Sequence, residues 1–292
     1  MYRSRRYAIP YIATVDPTRE DTRPWVAYLH GLGCSKEDFI HTMGHPALDG
    51  YRHIAFDLPG SGRASYPRGA NLTFYDLVEI TGAFLESLGI RRASIVGHST
   101  GGIVGLLYAS AHPAHVAQFV NIEGTLAPER SRFASECAKR PYTFARFKSE
   151  MHPEMLAEIH TAPASPGFKR YLASFNKASA RAIYNYRVSH ALVTNERSLM
   201  AEYLALPMPT LFVVTDDLGY RATSRQLRAS GARVVSVSRS RHFPFHDNPE
   251  AFVRALAKGL TSLDERASVA DSESGYPFEK EQAHAIRHAS RR

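Results

Sequence analysis

The sequence predicts an α/β fold: a mostly parallel sheet with helices on both faces and a helical insertion late in the chain. Three observations carry that prediction. Short β-branched apolar runs alternate with helical patterns from Trp25 to Ile122, and again from Thr210 to Leu260. That alternation is the signature of parallel strands joined by crossover helices. Between the two stretches, over residues 125–206, no strand pattern occurs, and aromatic and apolar residues recur at helical spacing among prolines. Finally, Gly97-His98-Ser99-Thr100-Gly101-Gly102 joins an apolar strand to an apolar helix through a turn that demands small residues on either side of the serine.

The elements follow in order. Tyr7–Ala13 carries Pro10 and fits an edge strand, where a missing N–H is tolerated. Trp25–Leu29 reads as a buried strand running into His30-Gly31-Leu32-Gly33, with a helical pattern over Lys36–Met43. Arg52–Phe56 is the next strand and ends in Asp57-Leu58-Pro59-Gly60-Ser61-Gly62. This tail is not a dinucleotide loop: the third glycine is missing, and Pro59 stands where the turn should open into a helix. No phosphate-binding G-x-x-x-x-G-K-[ST] occurs either. Thr73–Leu88 has helical periodicity, with Thr73 and Asp76 as a capping pair and Gly89 as its stop. Ala93–Val96 is the strand before the serine turn, Ile103–Ala111 the helix after it, and Val116–Ile122 a further strand ending at Glu123-Gly124. After the insertion come strand Thr210–Val214, helix Arg221–Ser230, strand Arg233–Val237, a loop holding His242, and helix Pro249–Leu260. The expected division is a core of residues 1–124 and 207–263, a helical cap of 125–206, and a polar, disordered tail of 264–292.

Composition narrows the function. The 292 residues are 44% hydrophobic and 11% aromatic, enough to bury a large core. The formal charge of +8 comes from scattered arginines, with no dense run beyond Arg3-Ser4-Arg5-Arg6 and no aromatic-interleaved basic stripe. A solvated basic surface is expected rather than a nucleic-acid footprint. Cys34 and Cys137 form no C-x-x-C pair, which fits free thiols in a reducing compartment. Residues 1–20 lack the apolar run of a signal peptide, and no segment reaches membrane-spanning length. The expectation is a cytoplasmic protein with a small-molecule substrate, no membrane or nucleic-acid partner, no metal and no organic cofactor. The sequence leaves the oligomeric state open.

Ligands on such sheets bind at the carboxyl ends of the strands. Leu32, Ser99, Glu123, Asp216 and Asp217 all follow strand ends, and His242 lies in the loop after a strand. A serine hydroxyl is a poor nucleophile at neutral pH. It needs a histidine to take its proton and a carboxylate to orient and charge-balance the imidazole.

His30-Gly31-Leu32-Gly33, Asp57 to Gly62, Gly97 to Gly102 and His242-Phe243-Pro244 through Pro249-Glu250-Ala251-Phe252 together resemble the motifs of the α/β-hydrolase superfamily with a helical cap, over Trp25 to Leu260. The resemblance implies Ser99 as nucleophile, His242 as base, and the backbone N–H groups of Leu32 and Thr100 as oxyanion hole. It leaves the acid between two residues. The family's usual position follows the strand after the cap, as G-x-x-D. Here that region reads Val214-Thr215-Asp216-Asp217-Leu218, with Thr215 for the glycine and Leu218 at the acid position. Some branches, haloalkane dehalogenases included, take the acid from the strand after the elbow helix. There Asn121-Ile122-Glu123-Gly124-Thr125-Leu126 resembles an I-E-G-N-L segment of one branch of serine hydrolases. Glu123 is the first candidate and Asp217 the alternative. Asp57 precedes the serine, against family order, and is assigned a structural role. His30 is read as a brace of its loop, His98 as the variable elbow position, and His112, His152, His160 and His190 as surface or cap residues.

The implied activity is hydrolysis of an ester, lactone or thioester through an acyl-enzyme, with the aromatic cap favouring a small to mid-sized apolar substrate. A serine nucleophile disfavours epoxide hydrolase and haloalkane dehalogenase chemistry, which uses aspartate. The same triad also serves C–C bond hydrolysis and acyl transfer, and the fold also hosts non-catalytic ligand receptors.

Overall fold

Near-continuous apolar runs such as Trp25-Val26-Ala27-Tyr28-Leu29 belong in a sheet covered on both faces. In the computed structural model, which describes residues 6–128, 142–162 and 165–260, every residue of that run is buried. The strands are β1 (Tyr11–Ala13), β2 (Trp25–Leu29), β3 (Arg52–Phe56), β4 (Ala93–His98), β5 (Val116–Ile122), β6 (Thr210–Val214) and β7 (Val234–Ser236). They form one sheet in the order β1-β3-β2-β4-β5-β6-β7, parallel throughout except for β1, which pairs antiparallel with β3. The edge strand is shorter than the predicted Tyr7–Ala13. It begins only after Pro10, because proline fixes φ and supplies no N–H for the ladder.

Alternate residues sort onto the two faces. Ala27, Leu29, Ile95, Phe119 and Phe212 join a core on one side, against helix α1 (Phe74–Ser87) and helix α2 (Thr100–Ala111). Val26, Tyr28, Val96, Val120 and Val213 join the core on the other, against Phe39, Phe245 and a helix over 249–260. Helix α1 starts as the capping pair predicts. The Thr73 hydroxyl accepts from the Asp76 N–H, and the Asp76 carboxylate accepts from the Thr73 N–H at 2.7 Å.

The predicted Lys36–Met43 helix is a 3₁₀ turn, Lys36–Phe39, that relaxes into one α-helical turn, Ile40–Met43. A short helix over Pro244–Asp247 had no separate signal, since four residues carry no periodicity.

Over 142–206 the described residues are helical, with no strand. Helices α3 (His152–Thr161), α4 (Pro166–Phe175), α5 (Ala180–Glu196) and α6 (Leu199–Leu204) follow a π-helical turn at Phe147–Met151. They share a third apolar cluster of Tyr142, Phe147, Met151, Phe175, Ile183 and Ala191. The predicted tail of 264–292 and Cys137 lie outside the described residues.

Chain order and strand order diverge at β2. The chain goes outward from β2 to β3, then returns past β2 to β4. That reversal opens a crevice between the carboxyl ends of β2 and β4.

Candidate active site

Ser99 sits in that crevice, between the last residue of β4 and the first of α2. Its backbone has φ 51° and ψ −117°, a region that L-residues rarely adopt and that surrounding structure must enforce. Two glycines make the turn possible. A Cβ on Gly101 would run into the Leu29 and His30 carbonyls, and one on Gly97 into the Gly101 backbone. The Ser99 N–H donates to the Ile122 carbonyl at 2.9 Å, tying the turn to β5.

Glu123 follows β5 directly and is fully buried, also at positive φ (48°). Its N–H donates to the Val213 carbonyl at 3.1 Å. Both carboxylate oxygens are used. Oε1 accepts from the Thr215 N–H at 2.8 Å and from the Thr215 hydroxyl, and Oε2 faces His242 Nδ1 at 2.9 Å. An ionised carboxylate only accepts, so Nδ1 carries the proton and Nε2 is left as the basic nitrogen. The Tyr220 ring stacks on the imidazole, with centroids 6.0 Å apart and planes 12° from parallel.

His98 contributes more than its variable motif position suggested. It is buried, its ring lies 4.7 Å from that of His242, and its Nε2–H donates to the His242 carbonyl at 2.7 Å. Burial pushes its pKa well below the ordinary histidine value, and the neighbouring His242 adds to that. A neutral His98 therefore clamps the backbone of His242 without placing a second cation beside it.

Asp217 lies close by: one donor atom each from Glu123, Asp217 and His242 fall within 4.8 Å of one another. Its own hydrogen bonds are local. Oδ1 accepts from the Gly219 N–H at 2.9 Å, and its N–H donates to the Thr215 hydroxyl at 3.1 Å. Those three residues are the one set of metal-type donors so grouped among the described residues. Glu123 Oε1 is taken by Thr215 and Oε2 faces His242.

The Leu32 loop is fixed from behind. His30 Nε2 accepts from the Leu58 N–H at 3.0 Å while Nδ1–H donates to the Gly31 carbonyl at 2.8 Å. Burial lowers the His30 pKa, which suits this neutral bracing tautomer. The fully buried Asp57 accepts from the Lys36 N–H at 2.9 Å, the Lys36 ammonium at 2.8 Å and the Arg63 N–H at 2.9 Å. It ties the loops after β2 and β3 together, a structural task. Thr100 opens α2, so its N–H is one of the donors that helix geometry leaves without an intrahelical acceptor.

Leu32, Ser99, Thr100 and His242 all line one cavity of about 210 Å³. Its opposite wall comes from the helices: Met155 of α3, Phe168 and Tyr171 of α4, and Tyr186, Arg187 and His190 of α5. The aromatic and apolar recurrences of the insertion include Met155, Phe168 and Tyr171 but not Tyr186. Arg187 was not singled out, and His190, read as a surface or cap residue, faces the cavity. The only available signal was their spacing of three, which puts both on one face of a helix. Among the described residues, no helix is long and apolar enough to cross a membrane.

The model of the alpha/beta hydrolase family matches residues 26–255. The chain is 35% identical over 91 residues to the dihydrolipoyllysine-residue acetyltransferase component of the acetoin cleaving system of Cupriavidus necator, a match covering 31% of this chain and 24% of that protein. It is 28% identical over 148 residues to the 2-succinyl-6-hydroxy-2,4-cyclohexadiene-1-carboxylate synthase of Yersinia enterocolitica, covering 49% and 51%. The chain thus spans between about a quarter and about half of the length of these curated relatives. Among solved structures, one from work on the carboxylesterases of Nitrososphaera gargenis superposes with a TM-score of 0.73 at 18% identity, covering 90% of this chain and 98% of that one. The enol-lactonase of Burkholderia xenovorans gives 0.66 at 20% identity, covering 88% and 100%. Sequence and fold agree: the chain belongs to the alpha/beta hydrolase family.

Proposed function

We propose that the chain is a serine hydrolase that cleaves a small ester, lactone or thioester through an acyl-enzyme. The observation that carries this reading is the 2.9 Å contact between His242 Nδ1 and the buried Glu123 carboxylate, on the same cavity wall as the strained Ser99. His242 Nε2 takes the Ser99 hydroxyl proton as Oγ attacks the substrate carbonyl. Glu123, held by Thr215, keeps the imidazole oriented and stabilises its charged form. The tetrahedral oxyanion is received by the Leu32 and Thr100 backbone N–H groups. Losing one such donor typically costs about 10²–10³ in rate. His242 then protonates the leaving group, and a water activated by the same nitrogen clears the acyl-enzyme. Asp217 is the alternative acid. Its engagement with Gly219 and Thr215 favours a role in shaping the turn instead. The cavity is smaller than the roughly 300–1,000 Å³ typical of drug-sized ligand sites, which points to a compact substrate.

The test is turnover of p-nitrophenyl acyl esters of graded length. Short acyl chains are expected to turn over best, and Ser99→Ala should lower kcat by on the order of 10⁶. Absence of turnover across the series by folded protein would overturn the reading.

A further inference from the structure

A second cavity lies at the other end of the sheet from Ser99, beside the starts of β4 and β5. It holds about 330 Å³, within the roughly 300–1,000 Å³ of small-molecule sites, and shares no lining residue with the Ser99 cavity. Glu79, Gly82, Ala83 and Glu86 line it from α1. Spacings of three and four residues put all of them on one helix face. The small pair stands at the centre of that face, with a carboxylate one turn to either side.

Tyr108 of α2 forms the floor. The residue is 2% exposed, and its hydroxyl has no hydrogen-bond partner among the described residues. A Cβ on Gly82 would stand 3.3 Å from the Tyr108 ring and 3.9 Å from that hydroxyl, which places the phenol oxygen beneath the gap between the two glutamates. Burial, then the fields of Glu86 and Glu79, push its pKa upward, so the phenol stays neutral. The His112 ring packs against Tyr108 with centroids 5.2 Å apart, and His115 stacks on His112 at 5.7 Å. Glu79 Oε1 lies 3.7 Å from His112 Nε2, while the Glu86 carboxylate has no partner among the described residues. Arg91 is the one permanent cation of the lining, so the two carboxylates outweigh it in a chain whose formal charge is +8.

Aromatic faces flanked by carboxylates suit an organic cation, which gains from the ring quadrupoles and from charge-assisted hydrogen bonds. No three metal-type donors of this cavity fall together among the described residues, which argues against a single metal ion. Seven residues of helix separate Glu79 and Glu86 by about 10 Å, so one compact ammonium cannot serve both. A linear chain lying over Gly82 and Ala83 can, and its middle then passes the Tyr108 hydroxyl. We infer that this cavity is a binding site for a linear aliphatic triamine. Each outer ammonium meets one glutamate, and the inner ammonium donates to the Tyr108 hydroxyl oxygen. The inference is independent of the reaction at Ser99.

The test is calorimetric titration of the full chain with spermidine and with the eight-carbon terminal diamine, which has the same length but no inner amine. Wild type should bind one spermidine with a Kd of about 0.1 mM or tighter. It should bind the diamine about tenfold more weakly, because the buried hydroxyl then meets a methylene. Glu86→Gln should weaken spermidine binding by about tenfold, through loss of one charged partner. Tyr108→Phe should bring the two amines to equal affinity. Glu86→Gln alters an exposed side chain, so it tests the site even if Tyr108→Phe fails to fold. No binding of spermidine by the folded wild type, equal affinity for the two amines, or an unchanged Kd in Glu86→Gln would overturn the inference. A preference for spermidine that survives in folded Tyr108→Phe would overturn it as well.

Discussion

The two walls of the cavity are built on different physics. On the sheet side, positions are fixed by main chain. Ser99 and Glu123 both sit at positive φ, the glycines beside Ser99 exclude any Cβ, and helix α2 buries ten of its twelve residues. On the helix side, positions are fixed by side-chain packing. Helix α3 contributes Met155 to the cavity, yet none of its ten residues is fully buried. The difference separates two tasks. Under the proposed mechanism, chemistry needs atoms held within tenths of an ångström and takes them from the rigid sheet. Recognition draws on side chains that can be exchanged with little cost to the fold.

The largest expected contrast lies within the sheet wall itself, between the two carboxylates. Glu123→Gln should lower kcat by about 10⁴, because an amide cannot stabilise the imidazolium and holds the wrong tautomer. Asp217→Asn should cost less than about tenfold, since its observed bonds shape a turn. The reverse ranking in ester kinetics would transfer the acid role to Asp217. Next comes the contrast between walls. Gly101→Ala should destabilise the chain by about 3 kcal/mol, because the new methyl meets the Leu29 and His30 carbonyls, which cannot give way. Ala157→Gly, exposed on α3, should cost about 1 kcal/mol through helix propensity alone. Urea unfolding measures both, and equal losses would break the comparison.

A further contrast concerns pH. Burial holds His98, His30 and His53 below the ordinary histidine value. They stay neutral in the folded chain but take up protons in the unfolded chain below about pH 6.5. The unfolded state then binds more protons, so stability declines as pH falls through that value, by up to about 1.4 kcal/mol per pH unit per histidine. The Tm should drop between pH 7 and pH 5, and His98→Gln should make that drop shallower. An unchanged slope would mean that His98 is charged in the folded state.

Much of the sheet wall was legible because its constraints are local. Strands β2, β3, β5 and β6 lie at the predicted residues, since buried parallel strands are unbroken apolar runs. The turn around Ser99 announced itself through Gly97 and Gly101, which sterics alone require. The strand-end location of Glu123 was readable, whereas its contact with His242 depends on pairing β5 with β6, a long-range fact. His98 and the Arg187–His190 pair were missed for the same reason. Their significance comes from what lies opposite them in space, and no spacing along the chain encodes it.

The most direct test of the account is to treat the folded protein with a fluorophosphonate and map the adduct by mass spectrometry. The account predicts a single phosphonyl adduct on Ser99, formed rapidly at neutral pH and lost in Ser99→Ala. An unmodified Ser99 in the folded wild type, or an adduct that persists in Ser99→Ala, would contradict it.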